Sequence, residues 1–389
     1  MEAEIRSFGL ASAAEFLEDR ILYRSLQPLQ PGLPGLETCI AELGLPAGRT
    51  PRKHETDYAR VVAHILQVAQ RLHLPGQPIR SLIYIGDSEM LDKTAFANLC
   101  QVTGWRGLAF VGDETSDPPQ TRQQPHPPGE LFLANRWSAL AEFDRYCARS
   151  GCPVDAQTAA VIDLDKTILG ARRRNAQSID RARSAAMQQA LAQIIGPGFD
   201  PAQFELVYRT FNQAAFHPFT SDNQDYLAYI CLVVLAGWTS LAGLQQAVLQ
   251  GQLLSFEQLI QQVEGGKSRL PAGIAAANAG AIAGAHAQVY ACVLAGDPTP
   301  FKAFRRWEYT VTAAAMGSLP QDTPLPALLD GEITLTQEVR HMALEWGKRD
   351  ALVFGLSDKP DEASLPTPEL AAQGWQPLHR TPTHAVGRQ

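Results

Sequence analysis

A chain of 389 residues, 45% hydrophobic and 19% charged, holds enough material for two ordinary domains and has the balance of a soluble globular protein. Its formal net charge of −7 at pH 7 argues against nucleic acid as a partner. The most apolar stretch, YLAYICLVVLAGW (Tyr226–Trp238), falls short of the ~20 residues needed to cross a bilayer, so it reads as a buried helix with no membrane role. Six cysteines without a CxxC pair exclude a disulfide framework and a zinc site. With the opening MEAEIRSFGL, which carries acids and no apolar leader core, they point to the cytoplasm.

In chain order, the first 50 residues mix a helical pattern, ASAAEFLEDRILYRSL, with the Pro/Gly turns of QPLQPGLPGLE. HETDYARVVAHILQVAQRLHL places Tyr58, Val61, Val62, Ile65, Leu66 and Val68 at helical spacing. SLIYIGDSEMLD predicts a buried strand ending at Gly86-Asp87, then a helix over DKTAFANLCQVTG. GLAFVGDE is another strand, SDPPQTRQQPHPPGE (Ser116–Glu130) a Pro/Gln-rich loop, and NRWSALAEFDRYCARSG a helix. AAVIDLDKTILG (Ala159–Gly170) is an apolar strand that ends in two aspartates. Between about Ala171 and Gly331 strand signals vanish in favour of Ala-, Gln- and Leu-rich helical segments, among them AGIAAANAGAIAGAHAQVYACVLAG. TLTQEVRHMALEWGKRD is then a helix, ALVFGLS a strand, DEASLPTPELAAQGW a loop with a short helix, and QPLHRTP a last strand.

Continuously apolar strands alternating with helices predict an α/β fold: a Rossmann-like parallel sheet covered on both faces, interrupted by an all-helical block. Ligands of such sheets bind at the carboxyl ends of the strands. Asp163 and Asp165 stand at one such end, and side chains two apart on an extended segment share a side. Burying two like charges is costly, and a hard oxygen-seeking cation such as Mg2+ is the simplest offset. A second strand end offers Asp87 and Asp92. A third ends in Ser357, whose hydroxyl suits a phosphoryl oxygen. Lys53 lies upstream of the Asp87 strand.

VIDLDKTIL resembles the first motif of the haloacid dehalogenase-like (HAD) hydrolases, a strand followed by DxDxT. YIGDSEMLD resembles their fourth motif, LVFGLSDKP their second, and RKHETDYARVV their third, a lysine near a helix start. The order here is third, fourth, first, second: a rotation of the usual one, as in a circularly permuted chain. Joining termini at a surface is physically cheap, and Ser116–Glu130 falls where the join is needed. The resemblance implies a HAD-like core in residues 1–170 and 332–389, with residues 171–331 as an inserted helical cap.

It also implies a mechanism. Asp163 forms an aspartyl-phosphate and Asp165 is general acid, then base. Mg2+ is held by Asp163, the Asp165 backbone carbonyl and Asp87, with Asp92 close by. Ser357 and Lys53 bind phosphoryl oxygens, and Thr167 braces the loop. The expected activity is Mg2+-dependent hydrolysis of a small-molecule phosphomonoester. An acid two residues after the nucleophile is absent from the family's dehalogenases. A phosphotransferase or phosphomutase shares the first half-reaction.

Other readings stand beside these. Asp163 or Asp87 also suits a helix N-cap, and Asp92 a first-turn acid. Ser357 suits a turn before Pro360, and Lys53 a solvated surface charge. Lys359 is the rival phosphate-binding lysine. ARRRN (Ala171–Asn175) is an anion-recruiting or merely solvated basic patch. In PFKAFRRWEYT, Arg305 and Arg306 are candidates for substrate recognition, although Arg305 and Glu308 are spaced to pair. Phe216–Phe219, with His217, is an aromatic turn or a second recognition element. Asp163-Leu164-Asp165 alone also fits the DxD of a metal-dependent glycosyltransferase, and a non-catalytic scaffold is the third class.

Overall fold

The computed structural model describes residues 4–266 and 276–388. Its strands are β1 (Arg6–Ala11), β2 (Ile21–Leu22), β3 (Ser81–Gly86), β4 (Arg106–Gly112), β5 (Thr121–His126), β6 (Gly129–Ala134), β7 (Thr158–Asp163), β8 (Leu335–Thr336), β9 (Leu352–Leu356) and β10 (Thr383–Gly387). Seven of them form one sheet in the order β2-β9-β7-β3-β4-β6-β5, all parallel except edge strand β5. The molecule is therefore α/β, with a mostly parallel sheet flanked by helices, as the apolar runs predict.

The central strands carry apolar side chains on both faces because both faces are covered. Leu82, Tyr84, Ala159, Val161 and Phe354 pack with helices Thr56–His73 and Leu91–Thr103. On the opposite face, Phe110 meets Trp137 and Phe143 at ring-centroid distances of 6.0 and 5.6 Å, beside helices Leu140–Arg149 and Gln337–Gly347. Each fully buried side chain of this size contributes roughly 1.5–3 kcal/mol.

Contacts divide the chain into two compact units, 1–181 with 312–389, and 182–311. In the second, every described element is helical. Tyr226–Leu235 of the stretch Tyr226–Trp238 falls in helix Gln224–Leu235 and supplies its core, with Leu227 to Val233 all at 2% exposure or less. No described helix is long and apolar enough to cross a membrane. Phe216 and Phe219 are buried, so that turn is an aromatic core element. The first four residues of the predicted segment Ala272–Gly296 lie outside the described residues; a helix occupies Ala276–Leu294.

Three readings need correction. Residues 11–26 form one helical turn, Ala14–Leu17, and the short edge strand β2 rather than a helix. Ser116–Glu130 is not only a loop: it contains β5 and starts the β5–β6 hairpin. β5 escapes an apolar pattern because an exposed edge strand has no buried face, and Pro125 is tolerated there. QPLHRTP holds a 3-10 turn, Leu378–Arg380, and the last strand follows it. That strand, β10, joins a separate three-stranded sheet, β1-β10-β8.

Candidate functional site

Three motif-bearing strands are immediate neighbours. β7 lies between β9 and β3; Asp163 is opposite Leu356, and Ile85 is opposite Ile162. Asp87, Asp163 and Ser357 therefore leave the sheet within a residue of one another on strands ~4.8 Å apart.

Lys53 ties two strand ends together. It comes from the loop before helix Thr56–His73, is 6% exposed, and donates at 2.7 Å to both Asp92 Oδ1 and Asp163 Oδ1. Asp92 is engaged on every side. Its Oδ1 also accepts from Tyr84 Oη at 3.0 Å, and its Oδ2 accepts the backbone N–H groups of Asp87 and Ser88 at 3.1 and 2.9 Å. Asp92 is thus a fastener between the β3 loop and Lys53, with no oxygen left over for a metal. Helix Leu91–Thr103 has no side-chain cap, so Asp87 is not an N-cap. The glycine of the GD pair follows from this packing: a Cβ on Gly86 would stand 2.4 Å from Asp92 Cγ.

After β7 the chain turns sharply. The amide of Ile168 donates to the Asp163 carbonyl at 3.3 Å, that of Leu169 to Leu164 at 2.9 Å, and that of Lys166, at φ +62°, to Leu169 at 2.7 Å. Thr336 Oγ1 donates to the Thr167 carbonyl. Thr167 Oγ1 itself is buried without a partner, so the loop is braced through Thr167's backbone by Thr336, not by the Thr167 hydroxyl. Asp165 stays partly exposed, its Oδ2 3.5 Å from Lys359 Nζ. Ser357 Oγ accepts the Lys359 amide at 3.1 Å, and Arg24 pairs with Asp358 at 3.1 Å. Ser357 therefore belongs to a turn, as one reading had it, and still stands beside Asp163.

The three arginines of ARRRN fan out to acids at the strand ends. Arg172 Nη1 meets Asp87 Oδ2 at 2.7 Å, and Arg173 meets Asp113 at 3.0 Å. Arg174, 2% exposed, joins Glu114 at 2.7 Å to Glu338 at 2.8 Å. The stretch is a set of ion pairs rather than a freely solvated patch.

Electrostatics follow from burial. Burial pushes the Asp163 carboxyl well above the usual range; Lys53 opposes this, and Asp92 and Asp87 reinforce it. Asp87 is also raised, by burial and then Asp92, against Arg172. Burial alone would lower Lys53, but Asp163 and Asp92 hold it above the ordinary lysine value. Lys53 is therefore a fixed cation and not a solvated surface charge.

No group of three or more His, Cys, Asp or Glu side chains among the described residues is arranged to hold a metal. Mg2+ needs fewer, since it usually keeps several waters and takes one or two carboxylates. Asp87 has one carboxylate oxygen outside the contacts above, Asp163 Oδ1 is shared with Lys53 at 2.7 Å, and the Asp165 carbonyl lies on the same loop. That donor set, all oxygen and surplus in negative charge, fits a hard divalent ion.

Arg305 makes the pair with Glu308 that its spacing allowed, and it is not placed for substrate recognition. It lies in the helical unit at 4% exposure, with Nε and Nη2 on Asp225 Oδ2 and Nη1 on Glu308. This buried network holds helices together, and its guanidinium does not face solvent for a substrate. Arg306 is exposed on the same helix. The sequence reading passed over Tyr84, Arg24 and Thr336. Tyr84 carried one usable signal, a polar hydroxyl in a strand otherwise apolar and two residues before Gly86. All six cysteines are free, and burial pushes the Cys39 thiol up to about 11 and Cys100 up to about 12, which leaves those two inert.

Compared with protein-family models, with curated proteins and with solved structures, the chain matches none.

Proposed function

We propose that the sheet unit is a circularly permuted HAD-type phosphatase that hydrolyses a small-molecule phosphomonoester through an aspartyl-phosphate on Asp163. One observation carries the reading: a single buried lysine, Lys53, spans Asp92 and Asp163 from a third part of the chain. The three stretches that resemble the third, fourth and first motifs thereby supply the residues that share this nitrogen, which supports the reading. The rotated motif order costs nothing spatially, since β9, β7 and β3 are adjacent. The helical unit lies in the chain between the first and second motifs, where the family carries caps.

Asp163 attacks phosphorus with one oxygen while Lys53 holds the other, fixing the carboxylate's direction of approach. As the bond from phosphorus to the ester oxygen breaks, Asp165 delivers a proton to that oxygen and the alcohol leaves. Water then attacks the phosphorus of the aspartyl-phosphate and gives its proton to Asp165. Phosphate departs and Asp163 is restored. Ser357 and Lys359 lie on the β9 side of Asp163, where a hydroxyl and an ammonium meet charge developing on the phosphoryl oxygens. One such donor is typically worth 10²–10³-fold in rate. A bound Mg2+, held by Asp87, the Asp165 carbonyl and the Lys53-side oxygen of Asp163, would supply neutralisation of the phosphate charge, leaving the other Asp163 oxygen for the attack.

The test is hydrolysis of an aryl phosphate with and without Mg2+, in the wild type and in Asp163→Asn. The reading expects Mg2+-dependent release of phosphate, lost in the variant while its circular dichroism is unchanged. Equal activity in the folded variant would overturn it.

A further inference from the structure

Arg172 and Arg173 are not used by this mechanism, yet they stand at its edge. Arg172 contacts Asp87, a candidate metal ligand, and its side chain is 42% exposed. Arg173, 60% exposed, contacts Asp113 one strand further along. Both guanidiniums act on the Asp113 carboxyl: burial raises it, and Arg173 and then Arg172 oppose the rise. The two cations therefore converge above the carboxyl ends of β3 and β4.

The backbone that presents them is held firmly. Arg174 is buried between Glu114 and Glu338 and also donates to the Val386 carbonyl at 3.0 Å. The Arg172 amide donates to the Lys166 carbonyl at 2.8 Å, in the loop that carries Asp163. Arg173 has φ +60°, a left-handed conformation that costs a non-glycine residue about 1–2 kcal/mol. The bend sends three consecutive side chains to four acids, Asp87, Asp113, Glu114 and Glu338. A buried anchor, a strained link and two half-exposed guanidiniums make a preformed anion site. The Arg173–Asp113 pair is easily exchanged, because a solvent-facing pair is worth about 0–1 kcal/mol, whereas Arg172 stays on the buried Asp87 and offers the exposed side of its guanidinium.

Resting on the phosphatase reading, we propose that the substrate carries a second anionic group, a phosphate or carboxylate, remote from the transferred phosphoryl group. Arg172 and Arg173 bind it over β3 and β4 while the scissile phosphate sits against Asp163. These arginines then select doubly anionic esters over simple monoesters.

The test uses probes that cannot be hydrolysed: a series of straight-chain alkane-1,n-bisphosphonates and the alkyl monophosphonates of equal length. Binding is measured by titration calorimetry at fixed Mg2+ on the wild type, Arg172→Ala and Arg173→Ala. The expectation is that at least one bisphosphonate binds the wild type tenfold or more tightly than its monophosphonate, and that each variant loses most of that gain. The monophosphonate comparison within each variant separates this effect from any change in folding. No gain above the statistical twofold at any length, or a gain that survives in both variants, overturns the inference. Because no turnover is involved, these results do not depend on whether Asp163 is phosphorylated, which the aryl phosphate assay decides.

Discussion

Replacing Gly86 with alanine is the sharpest perturbation of the Lys53 assembly, because it replaces no charged residue. The added Cβ would lie 2.4 Å from Asp92 Cγ and Oδ2 and 2.7 Å from its Cβ. Ordinary contact needs about 3.4 Å or more, so the Asp92 carboxylate must retreat by about 1 Å. Such a shift stretches the bonds from the Asp87 and Ser88 amides, now 3.1 and 2.9 Å, and the 2.7 Å contact with Lys53. Overpacking costs typically 1–3 kcal/mol, and weakening hydrogen bonds to a buried charge adds a similar amount, so a loss of about 3 kcal/mol is expected. Lys53 then loses its register on Asp163, and a 1 Å misplacement can cost about 10²-fold in rate. Urea unfolding followed by fluorescence gives the first number, and aryl phosphate kcat on the folded fraction the second. Stability within about 0.5 kcal/mol of wild type, together with unchanged kcat, would refute the coupling from Gly86 through Asp92 to Lys53.

Arg305→Met should destabilise the helical unit by about 3–5 kcal/mol in denaturant, since it strands Asp225 and Glu308 without their cation, while KM for aryl phosphate stays put; a raised KM with normal stability would restore Arg305 as a substrate contact. Thr336→Val should cost about 1–3 kcal/mol by orphaning the Thr167 carbonyl, whereas Thr167→Val should be neutral or slightly stabilising, because its hydroxyl already lacks a partner; the reverse order in thermal or urea unfolding would contradict the bracing described above. His379 is buried, and burial lowers its pKa against the pull of Asp19. The unfolded chain therefore takes up a proton below pH ~6.5 that the fold resists, and stability falls as pH drops through that range by at most ~1.4 kcal/mol per pH unit. His379→Gln should flatten the fall between pH 7.5 and 5.5, and parallel stability curves for variant and wild type would exclude His379 as the cause.

What was legible in the sequence follows from burial. β3, β4, β7 and β9 are central, covered on both faces, and so spelled as unbroken apolar runs that end in Asp or Ser. β2 and β8 have two residues each, too few for any periodicity, and β5 is polar because it is an exposed edge. Asp163, Asp87 and Ser357 could be placed from strand ends alone. Lys53 could not: only its place near a helix start, in the resemblance to a third motif, singled it out, and its contacts come from partners 39 and 110 residues away. Asp92 was visible as an acid near the site, but its role depends on hydrogen bonds that only the fold supplies. Arg305 shows the opposite failure. A cation in an Arg-rich helix looked available for substrate, and the tertiary structure spent it on two buried acids.

The most direct test of the central claim is to find the phosphoryl group itself. Wild-type protein quenched in acid during aryl phosphate turnover, digested and mapped by mass spectrometry, should carry a phosphoryl group on the peptide containing Asp163, and Asp163→Asn should carry none. Turnover that proceeds with that peptide unmodified, or with the phosphoryl group on another residue, would contradict it.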